Sequence, residues 1–274
     1  MINYIVSLYF GQRRNTMVQS CVDADPYYLF KCHLQAIARY SMKDVHKFTF
    51  VVNPSGDQEL DEGSKKILEV FSNTPKLKEK NIEILFNPDN RHISYGAWNF
   101  GVENGLDDPK TKYFFLLEDD YVPTGDEFYE PYVKKSQDDI AYVCQMWSPS
   151  KNPKAKTAGR VAITNGLLNA DAARKSKELN GSCFDLPETP DYKQLSNSKV
   201  MSDINKKYIL CGVAQNFFIR HFLNMGMRII DLGEGWSQLF LDSTGVKPYK
   251  EGQVSYIAPI HEYREIDMGE FHGD

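Results

Sequence analysis

No apolar stretch in the 274 residues approaches the roughly 20 that a membrane helix needs, so no membrane span is expected. The first residues, Met1-Ile-Asn-Tyr-Ile-Val-Ser-Leu, lack the charged start and long apolar middle of a secretion signal, and the expected compartment is cytoplasmic. Disulfide and zinc chemistry lack their usual signs too. The five cysteines (Cys21, Cys32, Cys144, Cys183 and Cys211) are odd in number, widely spaced and without a C-x-x-C pair, and they read as buried thiols. Positive charge is not in excess: 32 Lys and Arg against 37 Asp and Glu leave a net charge of −5, which gives no global attraction to nucleic acid or to an anionic membrane. There is no internal repeat and no low-complexity tract.

What is present is the composition of an ordinary globular chain, 42% hydrophobic and 25% charged, long enough to bury a substantial core as one large domain with a C-terminal subregion. The first two thirds alternate strands with helices. Ile5 to Phe10 reads as a first strand; Asp25-Pro26 supplies an N-cap and a proline for a helix carrying Leu29, Cys32, Leu34, Ile37 and Ala38. Phe48 to Val52 is a second strand ending at the turn cluster Asn53-Pro54-Ser55-Gly56, and a helix over 57–71 follows. Ile82 to Phe86 is a third strand. Ser94 is placed to cap a helix that ends near Gly105, and strands are expected over 113–117 and 140–146. This order predicts an α/β fold with a mainly parallel central sheet flanked by helices. Beyond it, 148–159 and 181–202 read as loops, 165–174 as a turn into a helix, 214–225 as an amphipathic helix and 255–260 as a short strand.

The most informative segment is Tyr113-Phe-Phe-Leu-Leu-Glu118-Asp119-Asp120-Tyr121-Val122-Pro123, in which an apolar strand runs straight into three adjacent carboxylates. In open α/β sheets ligands bind beyond the carboxyl ends of the strands. Adjacent carboxylates repel one another and stay ionised more easily when a cation joins them, and an all-oxygen set suits Mn²⁺ or Mg²⁺. A solvated acidic turn is the alternative.

Other candidates sit at neighbouring strand ends. Ser7, Tyr9 and Gly11, with Arg13 and Arg14 just beyond, offer backbone, an aromatic face and guanidinium groups to a nucleotide, or form a solvated loop. Asn53 can bond a base or ribose, or shape the turn before Pro54. The helix start with Arg91, Tyr95 and Gly96 suits a diphosphate or a base. Trp147 and Trp236 can stack on a sugar or pack in the core, and Lys151, Lys154, Lys156 and Arg160 can close over a diphosphate or form a solvated loop.

Taken together these residues resemble a GT-A fold glycosyltransferase of the family-2 type over roughly residues 3 to 230, with Leu-Leu-Glu118-Asp119-Asp120 standing for its D-x-D-like motif. The resemblance implies a single GT-A domain, with 1–146 the nucleotide-sugar-binding half and 147–274 the acceptor-binding half and tail. It implies Mn²⁺ or Mg²⁺, a nucleotide-sugar donor (a UDP-sugar by preference), a hydroxyl acceptor on a glycan or small molecule, and no nucleic-acid partner. By the same resemblance Asp120 is the metal-binding acid, Glu118 and Asp119 lie nearer the ribose and sugar, and His261 matches a late histidine of the metal shell. The segment from Ile163 through Asn165-Gly166 matches a turn facing the donor sugar or the acceptor. Gln215 and Asn216 stand where inverting members carry an acidic base, so the base is sought among Asp185, Glu188, Asp191 and Asp203, or the two amides face the sugar in a retaining transfer. Two rival readings are a sugar-1-phosphate nucleotidylyltransferase and a binding module for nucleotide or carbohydrate that has lost turnover.

Overall fold

The structure, a computed structural model, describes residues 1–11, 16–88, 90, 92–123, 125–147, 162–186, 214–215, 217–219, 221–232 and 257–259. In chain order the elements are β1 (Ile2–Tyr9), α1 (Thr16–Ala24), α2 (Tyr28–Arg39), β2 (Val45–Asn53), α3 (Gln58–Ser72), β3 (Ile82–Phe86), α4 (Ile93–Gly105), β4 (Tyr113–Glu118), β5 (Tyr121–Pro123), α5 (Glu130–Lys135), β6 (Ile140–Trp147), β7 (Ala162–Asn169), α6 (Ala170–Asn180), β8 (Arg228–Asp231) and β9 (Ile257–Pro259). The described part of 214–224 is helical.

Seven strands form one sheet in the order β3-β2-β1-β4-β7-β6-β8. β3, β2, β1 and β4 are parallel, β7 runs against both β4 and β6, and β8 is parallel to β6. The sheet is therefore mainly parallel with one reversed strand, and the expected α/β architecture is present. Strand alternation divides the core in two. Tyr4, Val6 and Leu8 of β1 point to one face, where Phe30, Leu34 and Ile37 of α2 cover them. Ile5 points to the other, under Trp98 and Val102 of α4. Fully buried aromatic side chains, among them Trp98, Phe115 and Phe128, fill both layers.

The helices sit tightly. A Cβ built on Gly101 of α4 would lie 2.9 Å from methyl carbons of both Ile5 and Val51, so only glycine lets α4 lie this close to β1 and β2. Asp57 caps α3 by accepting the Leu60 N–H at 3.1 Å, and Asn169 caps α6 by accepting that of Asp171 at 2.9 Å.

Several expectations are corrected. Residues 165–169 belong to a strand, since β7 is held on both edges by β4 and β6 and its Leu167 and Leu168 are buried on opposite faces; the local turn signal of Asn165-Gly166 yields to this pairing. Asp25 precedes α2 by a turn and accepts the Tyr27 N–H, while Tyr27 itself holds the N-cap position. Ser94 does not cap α4; His92 stands there without a side-chain cap. The short strand near the end is β9, which pairs antiparallel with β5, an element the sequence did not mark. Among the described residues all cysteines are free, and Cys32, Cys144 and Cys183 are buried.

Glycine at 166 is demanded by the register. A Cβ there would lie 2.4 Å from Tyr142 Cζ and 2.7 Å from the Val143 carbonyl oxygen. Gly166→Ala is expected to lower stability by about 1–3 kcal/mol, read as a lower denaturant midpoint; an unchanged midpoint would contradict the β6–β7 register.

Candidate functional site

The parallel strands all end at one edge, and their last residues meet there. β1 and β2 pair Tyr9 with Asn53, and β1 and β4 pair Ser7 with Glu118. Across the ends runs a row of hydrogen bonds: Asn87 Nδ2 donates to Asn53 Oδ1 at 2.7 Å, and Asn53 Nδ2 donates to Ser7 Oγ at 3.2 Å and to the Ile93 carbonyl at 3.5 Å. The Asn53 amide is fully buried and thus engaged on both sides, organising the edge. Ile93, the first residue of α4, has φ +52, a left-handed conformation that a β-branched residue rarely adopts and that costs on the order of 1–3 kcal/mol.

The acidic turn is held from both faces of the sheet. On the α4 face, Ser94 Oγ donates to Glu118 Oε1 at 2.5 Å. Trp98 Nε1 donates to the Leu117 carbonyl at 3.1 Å. On the α2 face, His33 Nε2 lies 3.1 Å from the Asp119 carbonyl, and Tyr4 Oη lies 2.9 Å from His33 Nδ1. Within the sheet layer the Tyr9 N–H donates to Asp119 Oδ2 at 2.8 Å, which leaves Asp119 only 3% exposed. Asp120 is half-buried at the tip.

Beside this row lies a cavity of about 350 Å³, walled by Val52, Pro54, Phe86 and Asn87 and by Asp61 and Lys65 of α3. Lys65 Nζ stands 5.1 Å from the centre of the Phe86 ring. Gly11 gives room to Tyr9, for a Cβ there would lie 2.4 Å from Tyr9 Oη.

Ser7, Tyr9, Asn53, Glu118, Asp119 and Asp120 are thus brought together, with Gly96 half-buried on the helix start above them. Tyr95 is fully buried, its ring against Trp98 and Phe218, and its hydroxyl donates to Gln215 Oε1 at 3.2 Å. It joins the edge only from behind. The Cys183 N–H donates to Glu103 of α4 at 3.4 Å, and the Phe184 ring packs against Phe218, which also meets Tyr95 near the start of α4. Asp185 Oδ2 lies 3.7 Å from His221 Nδ1, while His221 Nε2 is 2.5 Å from Ser176 Oγ. This Ser-His-Asp grouping is structural: Ser176 is fully buried and its hydroxyl donates to the Ser182 carbonyl at 2.7 Å, out of reach of a substrate. Arg13, Arg14, Arg91, Lys151, Lys154, Lys156, Arg160, Glu188, Asp191, Asp203, Asn216, Trp236 and His261 lie outside the described residues.

A divalent cation fits the donor set. Among the described residues no three His, Cys, Asp or Glu side chains converge on one point, but Mg²⁺-type sites commonly take one or two carboxylates and complete their shell with substrate phosphates. Asp120, half-buried at the end of the acidic run, would be one such carboxylate.

His33, Asn87 and Tyr142 were missed in the sequence. Tyr142 is fully buried, and burial, reinforced by nearby groups including Glu118, raises its phenol well above the ordinary value and keeps it protonated. The signal for His33 was a polar residue inside a helix buried from Leu29 to Ile37.

No protein-family model and no curated protein matches the sequence. Among solved structures the chain is similar to the 4-diphosphocytidyl-2C-methyl-D-erythritol synthase of Anaerococcus prevotii (TM-score 0.46, 12% identity, covering 84% of this chain and 86% of that one). It is also similar to residues 1–349 of S. aureus TarS (0.41, 13%, covering 85% and 58%) and to a cytidylyltransferase of Leptospira borgpetersenii (0.41, 8%, covering 84% and 74%). Likenesses at this level decide neither substrate nor reaction.

Burial pushes the His33 imidazole from 6.5 down to about 3. Between those values the unfolded chain takes up a proton that the folded chain refuses, so the contribution is complete above the unfolded value and is lost as pH falls toward the folded one. The expected outcome is a stability that declines on acidification from about pH 6.5, with His33 contributing a slope of up to about 1.4 kcal/mol per pH unit. His33 ring signals in NMR should hold the neutral form down to about pH 4; titration near 6.5 would show the ring to be solvated.

Proposed function

We propose that this chain is a metal-dependent glycosyltransferase with a GT-A domain. In this reading residues 1–146 bind the nucleotide-sugar, a UDP-sugar by preference, and 147–274 bind a glycan or small-molecule hydroxyl acceptor. The observation that carries the reading is the acidic turn: a buried parallel strand delivers Glu118, Asp119 and Asp120 to the carboxyl edge, where the ends of β1, β2 and β3 and the start of α4 converge. That is where an open α/β sheet binds ligands.

The residues divide the work. Asp120 holds the cation, with His261 as its second protein ligand; Asp119 and Glu118 shape the turn, and Glu118 turns toward the ribose and sugar. The nucleoside occupies the cavity beside the Asn53–Asn87 pair, where the Phe86 wall offers apolar surface to a base. The start of α4 near Gly96 faces the diphosphate, and Arg91 supplies its counter-charge. A bound Mn²⁺ or Mg²⁺ would neutralise the charge that develops on the departing nucleoside diphosphate. In an inverting transfer the acceptor proton falls to a carboxylate among Asp185, Glu188, Asp191 and Asp203, and in a retaining one Gln215 and Asn216 face the sugar instead.

Thermal midpoints with UDP, GDP or CDP, each with Mn²⁺ or EDTA, test the proposal. A ligand that binds only the native state raises the midpoint by mass action. The expected result is a rise of several degrees that needs both one nucleotide and the metal and disappears in Asp120→Ala, followed by release of nucleoside diphosphate from the matching nucleotide-sugar. Release of pyrophosphate from a nucleoside triphosphate and a sugar phosphate would assign a nucleotidylyltransferase, and binding without turnover a binding module.

A further inference from the structure

His33 is a costly choice for its position. It is fully buried in α2, where every residue from Leu29 to Ile37 is buried and an apolar ring would fill the space without a polar group to satisfy. Both ring nitrogens nevertheless have partners, one from the middle of β1 and one 86 residues away in the acidic turn. The hydrogen positions follow from the partners. The Asp119 carbonyl can only accept, so Nε2 carries the hydrogen and donates; Nδ1 then presents its lone pair and accepts the Tyr4 hydroxyl. Tyr4, His33 and Asp119 thus form one directed chain.

Its end point matters. The carbonyl of Asp119 belongs to the peptide unit that leads into Asp120, and a peptide unit is planar. Fixing that carbonyl fixes the plane from which the Asp120 Cα and its carboxylate project. The Asp119 side chain is pinned separately by the Tyr9 N–H, so the residue before the tip is held at both its side chain and its carbonyl.

We propose that His33 is a positioning residue for the candidate site: relayed from Tyr4, its Nε2–H locks the Asp119–Asp120 peptide plane and aims the Asp120 carboxylate at the divalent cation. The aim at a cation rests on the glycosyltransferase reading; the locking of the turn does not.

The test uses the full chain with His33→Phe, which fills the space without a donor, His33→Gln, which keeps one, and Tyr4→Phe, which removes the relay while keeping the ring. Two readouts are taken: hydrogen exchange at the Tyr9 amide without metal, and Mn²⁺ affinity in the presence of UDP from the electron paramagnetic resonance of free Mn²⁺. In His33→Phe the Tyr9 amide is expected to exchange at least about tenfold faster than its β1 neighbours require, and Mn²⁺ affinity to fall about 10- to 100-fold, as it does when groups that orient metal ligands are removed. His33→Gln should recover most of both, and Tyr4→Phe should move both in the direction of His33→Phe by less. Wild-type exchange at Tyr9 and wild-type Mn²⁺ affinity in folded His33→Phe or Tyr4→Phe would overturn the proposal. Faster exchange in a protein whose wild type binds no Mn²⁺ with UDP would overturn the aim at a cation and the glycosyltransferase reading together, while the lock on the turn would stand.

Discussion

Three consecutive carboxylates at the end of a buried strand are the constraint around which the molecule is arranged. Charge at that position must be exposed, paired or hydrogen-bonded. The chain meets the requirement differently for each residue. Glu118 takes a hydroxyl from α4, Asp119 takes a backbone N–H from β1 and anchors its carbonyl to α2, and Asp120 stands half-buried at the tip. One helix on each face of the sheet therefore reaches the same turn, and neither could do so without the parallel register that ends β1, β2 and β4 at one edge.

The packing serves that geometry. α4 reaches Glu118 through Ser94 because Gly101 lets the helix settle onto Ile5 and Val51, and because Trp98 both fills the layer and bonds the Leu117 carbonyl just before the acidic run. α2 reaches Asp119 because Phe30 packs edge-on against Phe50 and the His33 ring lies between Tyr4 and Phe50. Strain at Ile93, where α4 begins, sits in the same place. Stored strain and buried polar networks gather where a fold must present groups rather than merely pack them.

Much of this was legible in the sequence and some was not. The runs at 48–52, 82–86, 113–117 and 140–146 announced strands because parallel strands buried on both faces read as continuous apolar segments, and the carboxylates after Leu117 marked the edge. Asn165-Gly166 misled, since those two residues favour turns locally while pairing on both sides makes them strand. Ser94 had the chemistry of a cap, and only the placement of Glu118 opposite it shows that its hydroxyl is used elsewhere. Asp185 stood out by its place in the loops, and only the structure sets its carboxylate beside His221. Periodicity counts apolar residues, so His33 and the amide pair of Asn53 and Asn87, whose importance lies in contacts made over long sequence separations, carried no periodic signal.

A cation and a nucleotide diphosphate that meet at the acidic turn, as proposed, would be seen by paramagnetic broadening. Backbone amide signals of the labelled chain would be recorded with UDP as Mn²⁺ is added in small amounts. Loss of signal centred on Asp120, spreading to Glu118, Ser7, Asn87 and Gly96 and absent in Asp120→Ala, is the expected result. Broadening centred elsewhere, or broadening that ignores Asp120→Ala, would contradict the placement of the site and return the carboxylates to the role of an acidic turn.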